Sequence, residues 1–309
     1  MRDRRILITG AAGFIGRALL KLLLQGPTGN EIVSIDLGEQ PPWASDSRVR
    51  WVRRALDDRA AMDDVCRSEF DLVYHLASVP GSRAETDSAL GRRVNLDASL
   101  DLLDRIARWT NCPRVVFASS IAVYGTALSA PVSSKTPPRP AITYGAHKRM
   151  VEIALADHTR RGEMSGISVR LPGVVARPGP ATGFGSAFMS ELLRSLAAGQ
   201  PYECPVSPRA TAWWLSVRGA AKSLQHAGAI AHCGEIQLPA LHLSVEEVVD
   251  GVSMAYGGGR SSLVRYRRDD GIEAIFGRLP ELHFAEEQAL GFTHDGTISA
   301  LVRDALGEA

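Results

Sequence analysis

The stretch ITYGAHKRM, residues 142–150, sets a phenol and an amine four residues apart, Tyr144 and Lys148. Lysine is scarce in this chain: 4 lysines stand against 31 arginines, with 6 tyrosines, in 309 residues. At those frequencies about 0.08 Tyr-x-x-x-Lys pairs arise by chance, so the spacing is informative if a helix carries it. On a helix, positions i and i+4 project from one face. A free phenol titrates near pH 10 and is a poor base at neutral pH. An ammonium fixed beside it stabilises the phenolate and brings it toward the working range. The pair therefore reads as an acid/base for moving an alcohol proton. Upstream, FASSIAVYG (117–125) delivers Ser119 and Ser120 at the end of an apolar run. A hydroxyl there is suited to hydrogen-bond the reacting oxygen while Tyr144 takes or returns its proton. Ser120 is the candidate for that role, and the plain reading of Ser119 is a residue that finishes the strand.

A second constellation opens the chain. ITGAAGFIG (8–16) places Gly10, Gly13 and Gly16 where a strand turns into a helix. Glycine at that turn lets backbone N–H groups and the helix N-terminus approach a pyrophosphate closely. Asp36 ends the next strand pattern, 20 residues after Gly16. A carboxylate there accepts hydrogen bonds from both ribose hydroxyls and repels a 2′-phosphate. The following LGEQPP offers no arginine or lysine, so NAD is expected rather than NADP. A bound nicotinamide also gives Lys148 a second task. A slender ammonium reaches past the tyrosine to the nicotinamide ribose, which a wide guanidinium fork fits poorly.

These residues need a scaffold, and the apolar pattern supplies one. RILITG (5–10), EIVSID (31–36), DLVYHLA (71–77) and RVVFASS (114–120) read as buried strands. Helix-length stretches at 14–25, 59–68 and 88–108 separate them. Strands alternating with helices indicate a parallel sheet covered on both faces, and right-handed crossovers make it doubly wound. GISVRLPGV (166–174) reads as a further strand after the helix that begins near Tyr144. Beyond about residue 175 the rhythm breaks at ARPGPATGFGS (176–186), followed by an expected helix at 186–199. Near 244, SVEE has the form of a capping box heading a helix to about 255, and DGTISALVRDALG reads as a last helix. The expected division is a dinucleotide-binding domain over 1–175 and a smaller substrate-binding lobe over 176–309, with possible crossings back.

Composition excludes several classes. Net charge is +1, which points to neither nucleic acid nor an anionic membrane as partner. No apolar run approaches the roughly 18 residues that span a bilayer. The N-terminal MRDRRILITG runs from charge into a strand with no secretory signal pattern. Four scattered cysteines lack metal-like spacing and fit a reducing compartment, so a cytoplasmic protein is expected. No metal is expected.

Taken together, TGAAGFIG, Asp36, YHLAS, Asn95 in RVNLD, SSIAVYG and YGAHK resemble the extended short-chain dehydrogenase/reductases, the family of NAD-dependent epimerases and dehydratases. The motifs span roughly residues 5–180. The resemblance implies an α/β, Rossmann-type doubly wound parallel sheet with a smaller C-terminal substrate-binding lobe. It implies Ser120, Tyr144 and Lys148 as the catalytic set. NAD contacts would come from Gly10, Gly13, Phe14, Ile15, Gly16 and Asp36, then from Leu56, Leu76, Ala77, Asn95, Tyr144 and Lys148. Asn95 would also support the active-site helix. One departure follows the third strand. Many relatives carry there an Asp that holds the adenine amine, whereas RRALDD offers Ala55 and Leu56, which shifts adenine contacts to Asp57, Asp58 or backbone.

Beyond residue 75, SVPGSRAETDSALGRRVNLD, SVRLPGVVARPG and AWWLSVRGA resemble the branch typified by D-erythronate dehydrogenase. That likeness implies oxidation of a secondary alcohol on a small sugar acid. Thr211 stands where relatives of that branch carry an arginine, which leaves the particular acid open. A carboxylate substrate needs a cation or clustered donors. Arg83 with Ser82, then Arg177 and Ser186, are the substrate candidates beside Ser120 and Tyr144. Solvated loop, ion-pair and helix-cap roles compete for them. Trp213 and Trp214 read as core before pocket wall, and His75 and His147 as packed residues before bases. An NDP-sugar 4-epimerase with tightly bound NAD is the alternative reading, and a non-catalytic NAD sensor a further one. The helices near 88–108 and 144–160 commonly form a dimer seam in this family, so a homodimer is expected; Leu100, Leu103, Ile153 and Leu155 fit that seam and fit core packing equally well.

Overall fold

The computed structural model describes residues 3–179 and 186–307. Its central element is a seven-stranded sheet. The strands are β1 (Arg5–Thr9), β2 (Glu31–Asp36), β3 (Val49–Arg53), β4 (Leu72–His75), β5 (Arg114–Ser120), β6 (Ser165–Leu171) and β10 (Gly234–Gln237). Their order across the sheet is β10-β6-β5-β4-β1-β2-β3, and β1 to β5 run parallel. This is the doubly wound arrangement, reversing beside β1, where the chain leaves first for β2 and later for β4. The apolar runs became strands because both faces are covered: Leu7, Ile8, Val33, Val73, Val115 and Val116 are all buried.

The covering helices include α1 (Phe14–Leu24), α2 (Arg59–Val65), α5 (Ala98–Ile106) and α6 (Thr143–Arg160), with short α3 (Gly81–Thr86) and α4 (Ser88–Gly91). The expected single helix over 88–108 is broken: α4 passes into a π-helical turn, Arg92–Asp97, before α5 begins. Leu56, Met62, Leu102, Leu103 and Leu155 share one buried cluster with the sheet. Leu103 and Leu155 are therefore core residues, the second of the two roles open to them in the sequence. On α6 the outward apolar residues are Met150, 43% exposed, and Ile153, 54% exposed, while Leu100 packs partly against the core.

The chain divides into two compact units. The first holds the described residues up to Val123, then Pro140–Arg170 and Ala221–Ile236; the second holds Tyr124–Arg139, Leu171–Ala220 and the described residues from Gln237. The expected strand 166–174 is split at Pro172, which has no N–H to give a ladder. Its first part is β6, and the remainder is β7 (Gly173–Val175) in another sheet. Within the second unit, β9 (Thr211–Ser216) is flanked by β7 and β11 (Leu241–Ser244), and β8 (Tyr202–Cys204) pairs with β12 (Val264–Tyr266). The capping box at Ser244 and Glu247 is formed and starts α9 (Val245–Tyr256). Helix α7 (Ala187–Ala197), α9 and α12 (Ile298–Leu306) enclose that unit's core with Trp214. Trp213 and Trp214 are fully buried and donate to the carbonyls of Pro280 and Leu243. The core reading of both holds. Three further helices complete the described chain: α8 (Val217–Ala227), α10 (Asp270–Phe276) and α11 (Ala285–Ala289).

The β1–α1 turn is the tightest joint. A Cβ on Gly16 would lie 2.1 Å from the Gly10 carbonyl oxygen and 2.9 Å from the Ala11 Cα. Both obstacles are backbone, so the helix would have to move. Gly16→Ala is expected to cost about 1–3 kcal/mol or more, seen as a lower urea midpoint with unchanged slope.

Candidate active site

Gly10 takes φ +77°, which a side chain disfavours, and a Cβ there would meet the Ala77 nitrogen at 2.7 Å. The turn is thus pressed against Leu76 and Ala77, the half-buried exit of β4. Gly13 is exposed and caps α1 with no side chain, and half-buried Phe14 and Ile15 form the first helical residues, so the N–H groups of that first turn have no side-chain cap. Asp36 accepts from Ala12 N at 2.9 Å through one carboxylate oxygen and from Gly38 N at 2.8 Å through the other. It ties the glycine turn to the end of β2 and keeps lone pairs for a ligand. A cation does stand beside it, which inspection of LGEQPP missed. Arg53, its register partner on β3, donates to the Leu37 carbonyl at 3.2 Å and pairs with Glu39 at 3.0 Å. Glu39 offsets that charge.

Beneath the turn runs a buried polar column. Thr9 Oγ1 accepts from Leu76 N and Ala77 N, both at 3.2 Å, so its proton goes to His75 Nδ1 at 2.7 Å. That leaves the proton of neutral His75 on Nε2, which donates to Ser99 Oγ at 2.9 Å, and Ser99 donates to the Asn95 carbonyl at 3.0 Å. Burial, with Lys148 nearby, pushes the His75 imidazole down to about 3, so it stays neutral. Asn95 is held inside the π-helical turn. Its amide pairs with both backbone groups of Val79, at 2.7 Å from Val79 N and 3.0 Å to Val79 O. It therefore fixes the loop after β4. Leu56 lies buried in the core cluster. Asp57 is paired with Arg93, and Asp58 caps α2 through Ala61 N.

Helix α6 carries the catalytic candidates. Gly145 permits close contact with the turn after β5: a Cβ there would sit 2.2 Å from the Ala122 carbonyl oxygen. Ser120 heads that turn, its Oγ accepting from Ala122 N at 3.1 Å and keeping its own proton to donate. Half-buried Tyr144 packs against Gly81 at the start of α3, where a Cβ would meet its side chain at 3.6 Å. The Lys148 ammonium lies 5.5 Å from the Tyr144 ring centre, so the two side chains do share a face. Lys148 is 2% exposed, donates to the Ala118 carbonyl at 2.8 Å and lies 4.8 Å from the Phe117 ring centre. Burial brings its amine down to about 7, against the opposing pull of Glu152. Ser119 is taken by Glu152, at 2.5 Å, which leaves Ser120 as the accessible hydroxyl.

The substrate candidates are spread more widely. Half-buried Ser82 and exposed Arg83 lie on α3, whose Glu85 accepts from Thr143 N at the head of α6. Arg83 forms no ion pair among the described residues. Arg177 is exposed in the second unit. Ser186 precedes α7 without a side-chain capping bond, so the helix-cap role is not the one it fills. Thr211 spends its hydroxyl on the Leu279 carbonyl. His147 is buried on α6 between Tyr144 and Lys148.

Comparison with known proteins places this geometry. Residues 6–224 match the NAD dependent epimerase/dehydratase family, and the chain belongs to that family. Over 98% of both chains it is 35% identical to D-erythronate dehydrogenase of Cupriavidus necator. It is 28% identical to the Haemophilus influenzae enzyme of the same name, over 97% of this chain and 98% of that one. A crystal structure of a nucleoside-diphosphate-sugar epimerase from Agrobacterium tumefaciens superposes with TM-score 0.89 at 28% identity, covering 100% of this chain and 96% of the other. The protein is an NAD-dependent enzyme. Its residues fit that cofactor: Gly13 heads α1 without a side chain, only the Gly10 carbonyl oxygen lies near where its Cβ would stand, and Asp36 holds a carboxylate against the same turn.

Lysine in the unfolded chain holds its proton to about pH 10.4, whereas buried Lys148 gives it up near 7. Between those values the unfolded state binds more protons, so stability rises with pH, and the cost of burying the ammonium is full below 7. Lys148→Met should therefore be more stable than the parent at pH 6, by a few kcal/mol at most. The advantage should close and reverse by pH 10, where only the unpaired Ala118 carbonyl remains as a cost. Urea melts across that range test it.

Proposed function

We propose that the enzyme oxidises a secondary alcohol on a small sugar acid, D-erythronate or a close analogue, with NAD as electron acceptor. The observation that carries the chemistry is the buried Lys148 ammonium 5.5 Å from the Tyr144 ring. The substrate class rests on the two D-erythronate dehydrogenase relatives, matched over nearly their full length. The first unit is the NAD-binding domain, and the second serves the substrate.

Each residue has a part. Bound NAD supplies the electron acceptor at nicotinamide C4. Gly10, Gly13 and Gly16 bring the first turn of α1, with Phe14 and Ile15, up to the pyrophosphate. Asp36 receives the ribose hydroxyls, and Leu56, Leu76, Ala77 and the Asn95-held loop line the rest. Tyr144, as phenolate, takes the hydroxyl proton of the alcohol. Ser120 donates to that same oxygen and steadies the charge as the carbonyl forms. Lys148 keeps the phenolate accessible near neutral pH and holds the nicotinamide ribose. Arg83 and Ser82 are the donors for the substrate carboxylate.

A nucleotide-sugar 4-epimerase uses the same residues and is the second reading, favoured by the full-length likeness to the Agrobacterium epimerase. Growth of NADH absorbance with D-erythronate and free NAD, and none with UDP-sugars, is the expected result; the reverse, interconversion of UDP-sugars without free NADH, overturns it. Tyr144→Phe should lower turnover by at least about 100-fold with NAD binding kept.

A homodimer through the Met150 and Ile153 face of α6 completes the proposal, with sedimentation velocity at twice the chain mass as the expected result and a monomer mass against it. The described cysteines are free, and no helix among the described residues is long and apolar enough to cross a membrane. The scattered cysteine spacing is the ground on which a cytoplasmic location is proposed.

A further inference from the structure

One turn beyond Lys148 on α6 stands Glu152, a fully buried carboxylate that the reaction above does not use. Arg170 on β6, itself 2% exposed, grips it side-on: Nε to Oε1 at 3.0 Å and Nη2 to Oε2 at 2.9 Å. Arg149 donates to Oε2 at 2.9 Å and also pairs with Glu235 on β10. Ser119 Oγ donates to Oε1 at 2.5 Å. Ser119 follows Ala118, whose carbonyl receives the Lys148 ammonium, and precedes Ser120. One carboxylate thus joins the end of β5, the next strand and the helix that bears Tyr144.

We infer that Glu152 is a positioning residue for the reaction: it locks the Ala118–Ser120 strand end against α6 and supplies the counter-charge that keeps buried Lys148 an ammonium. The role rests on the reading of Lys148 as the partner of Tyr144. The charges around Lys148 make the electrostatic part specific. From α6 it faces Tyr144 and Glu152; from β5, the Ala118 carbonyl and the Phe117 ring; from β4, neutral His75. Arg149, Arg170 and Glu235 act from behind Glu152. With both carboxylates charged the cluster keeps a single net positive charge. Without Glu152 it has three cations against one distant anion, and the amine, already brought down to about 7 by burial, is the group that yields its proton. A purely structural clamp would hold the same strand and helix together without setting that proton.

The test reads the amine directly in the NAD-free protein. With only four lysines in the chain, 13Cε-lysine NMR resolves each titration, and the signal lost in Lys148→Met assigns the one of interest. Glu152→Gln should move the Lys148 midpoint down by about one pH unit or more. Glu152→Asp, which keeps the charge one methylene back, should leave it near the parent value even as the melting temperature falls. In turnover, Glu152→Gln should shift the lower limb of the kcat/KM profile upward by about a unit, roughly tenfold at pH 7. Because Glu152→Gln leaves Arg170 facing an amide, the same difference is also read between Arg170→Met and Arg170→Met/Glu152→Gln, neither of which strands a lone buried arginine. A Lys148 titration unmoved by loss of the Glu152 charge in either background, or Glu152→Asp behaving as Glu152→Gln, overturns the inference. If Tyr144→Phe and Lys148→Met leave turnover intact, the proposed function fails instead, and the NMR midpoint still decides the role of Glu152.

Discussion

A lysine with 2% of its surface exposed is an unfavourable thing to build into a protein interior, and this chain builds its site around one. Lys148 is brought in by the longest helix of the described chain, along with Tyr144 one turn earlier and Glu152 one turn later. Burial pushes its proton affinity down. The Ala118 carbonyl, the faces of Phe117 and Tyr144, and the charge of Glu152 hold the balance near the middle of the range. A group poised there responds to small changes in its surroundings, as acid/base chemistry at neutral pH requires. The cost is met by the parallel sheet, whose apolar strands carry the stability.

A separate constraint fixes the nucleotide end. At Gly10 and Gly16 the obstacles to a side chain are main-chain atoms of Ala77, Gly10 and Ala11, so no repacking of side chains relieves them. The absence of side chains does two jobs with one geometry. It lets α1 pack onto β1, and it leaves the first turn of the helix without a side-chain cap. Asp36 then links this turn to β2 through Ala12 and Gly38, so the carboxylate proposed to meet a ribose is also the brace of the loop beside it.

Residues whose chemistry is local were legible in the sequence, and those whose meaning depends on distant partners were not. Tyr144 and Lys148 share a helix, so a spacing of four was enough to bring them together. The glycine turn and Asp36 sit at strand ends that apolar runs announce. The sheet's outer strands were harder. β10 (GEIQ) lacks an apolar run and returns from more than sixty residues after β6, while β3 alternates with arginines because it is an edge strand, and only the family resemblance placed it. Pro172 signalled a break that a run of apolar residues concealed. Leu103 and Leu155 carried no mark telling core from seam, since burial against a sheet and burial against a partner call for the same side chains. Arg53 reaches Glu39 only through strand register, and Glu152 finds Arg170 only across the helix–sheet interface, so neither pairing has a sequence spacing to read.

The two ends of the site are joined inside the protein. Thr9, which accepts the two N–H groups behind the glycine turn, must donate to His75, and this fixes the tautomer that donates to Ser99 and through it to the Asn95 carbonyl. Asn95 in turn holds Val79 by both backbone groups, two residues before the helix that bears Ser82 and Arg83 and touches Tyr144 at Gly81. The direction of every hydrogen bond in this column follows from the first. A protonated His75 would present a second donor to Thr9 and reverse the column's logic, and the neighbouring Lys148 ammonium opposes that protonation. The charge proposed to serve Tyr144 thereby also protects the neutral column under the glycine turn, so on that proposal the two halves of the site depend on the same proton inventory.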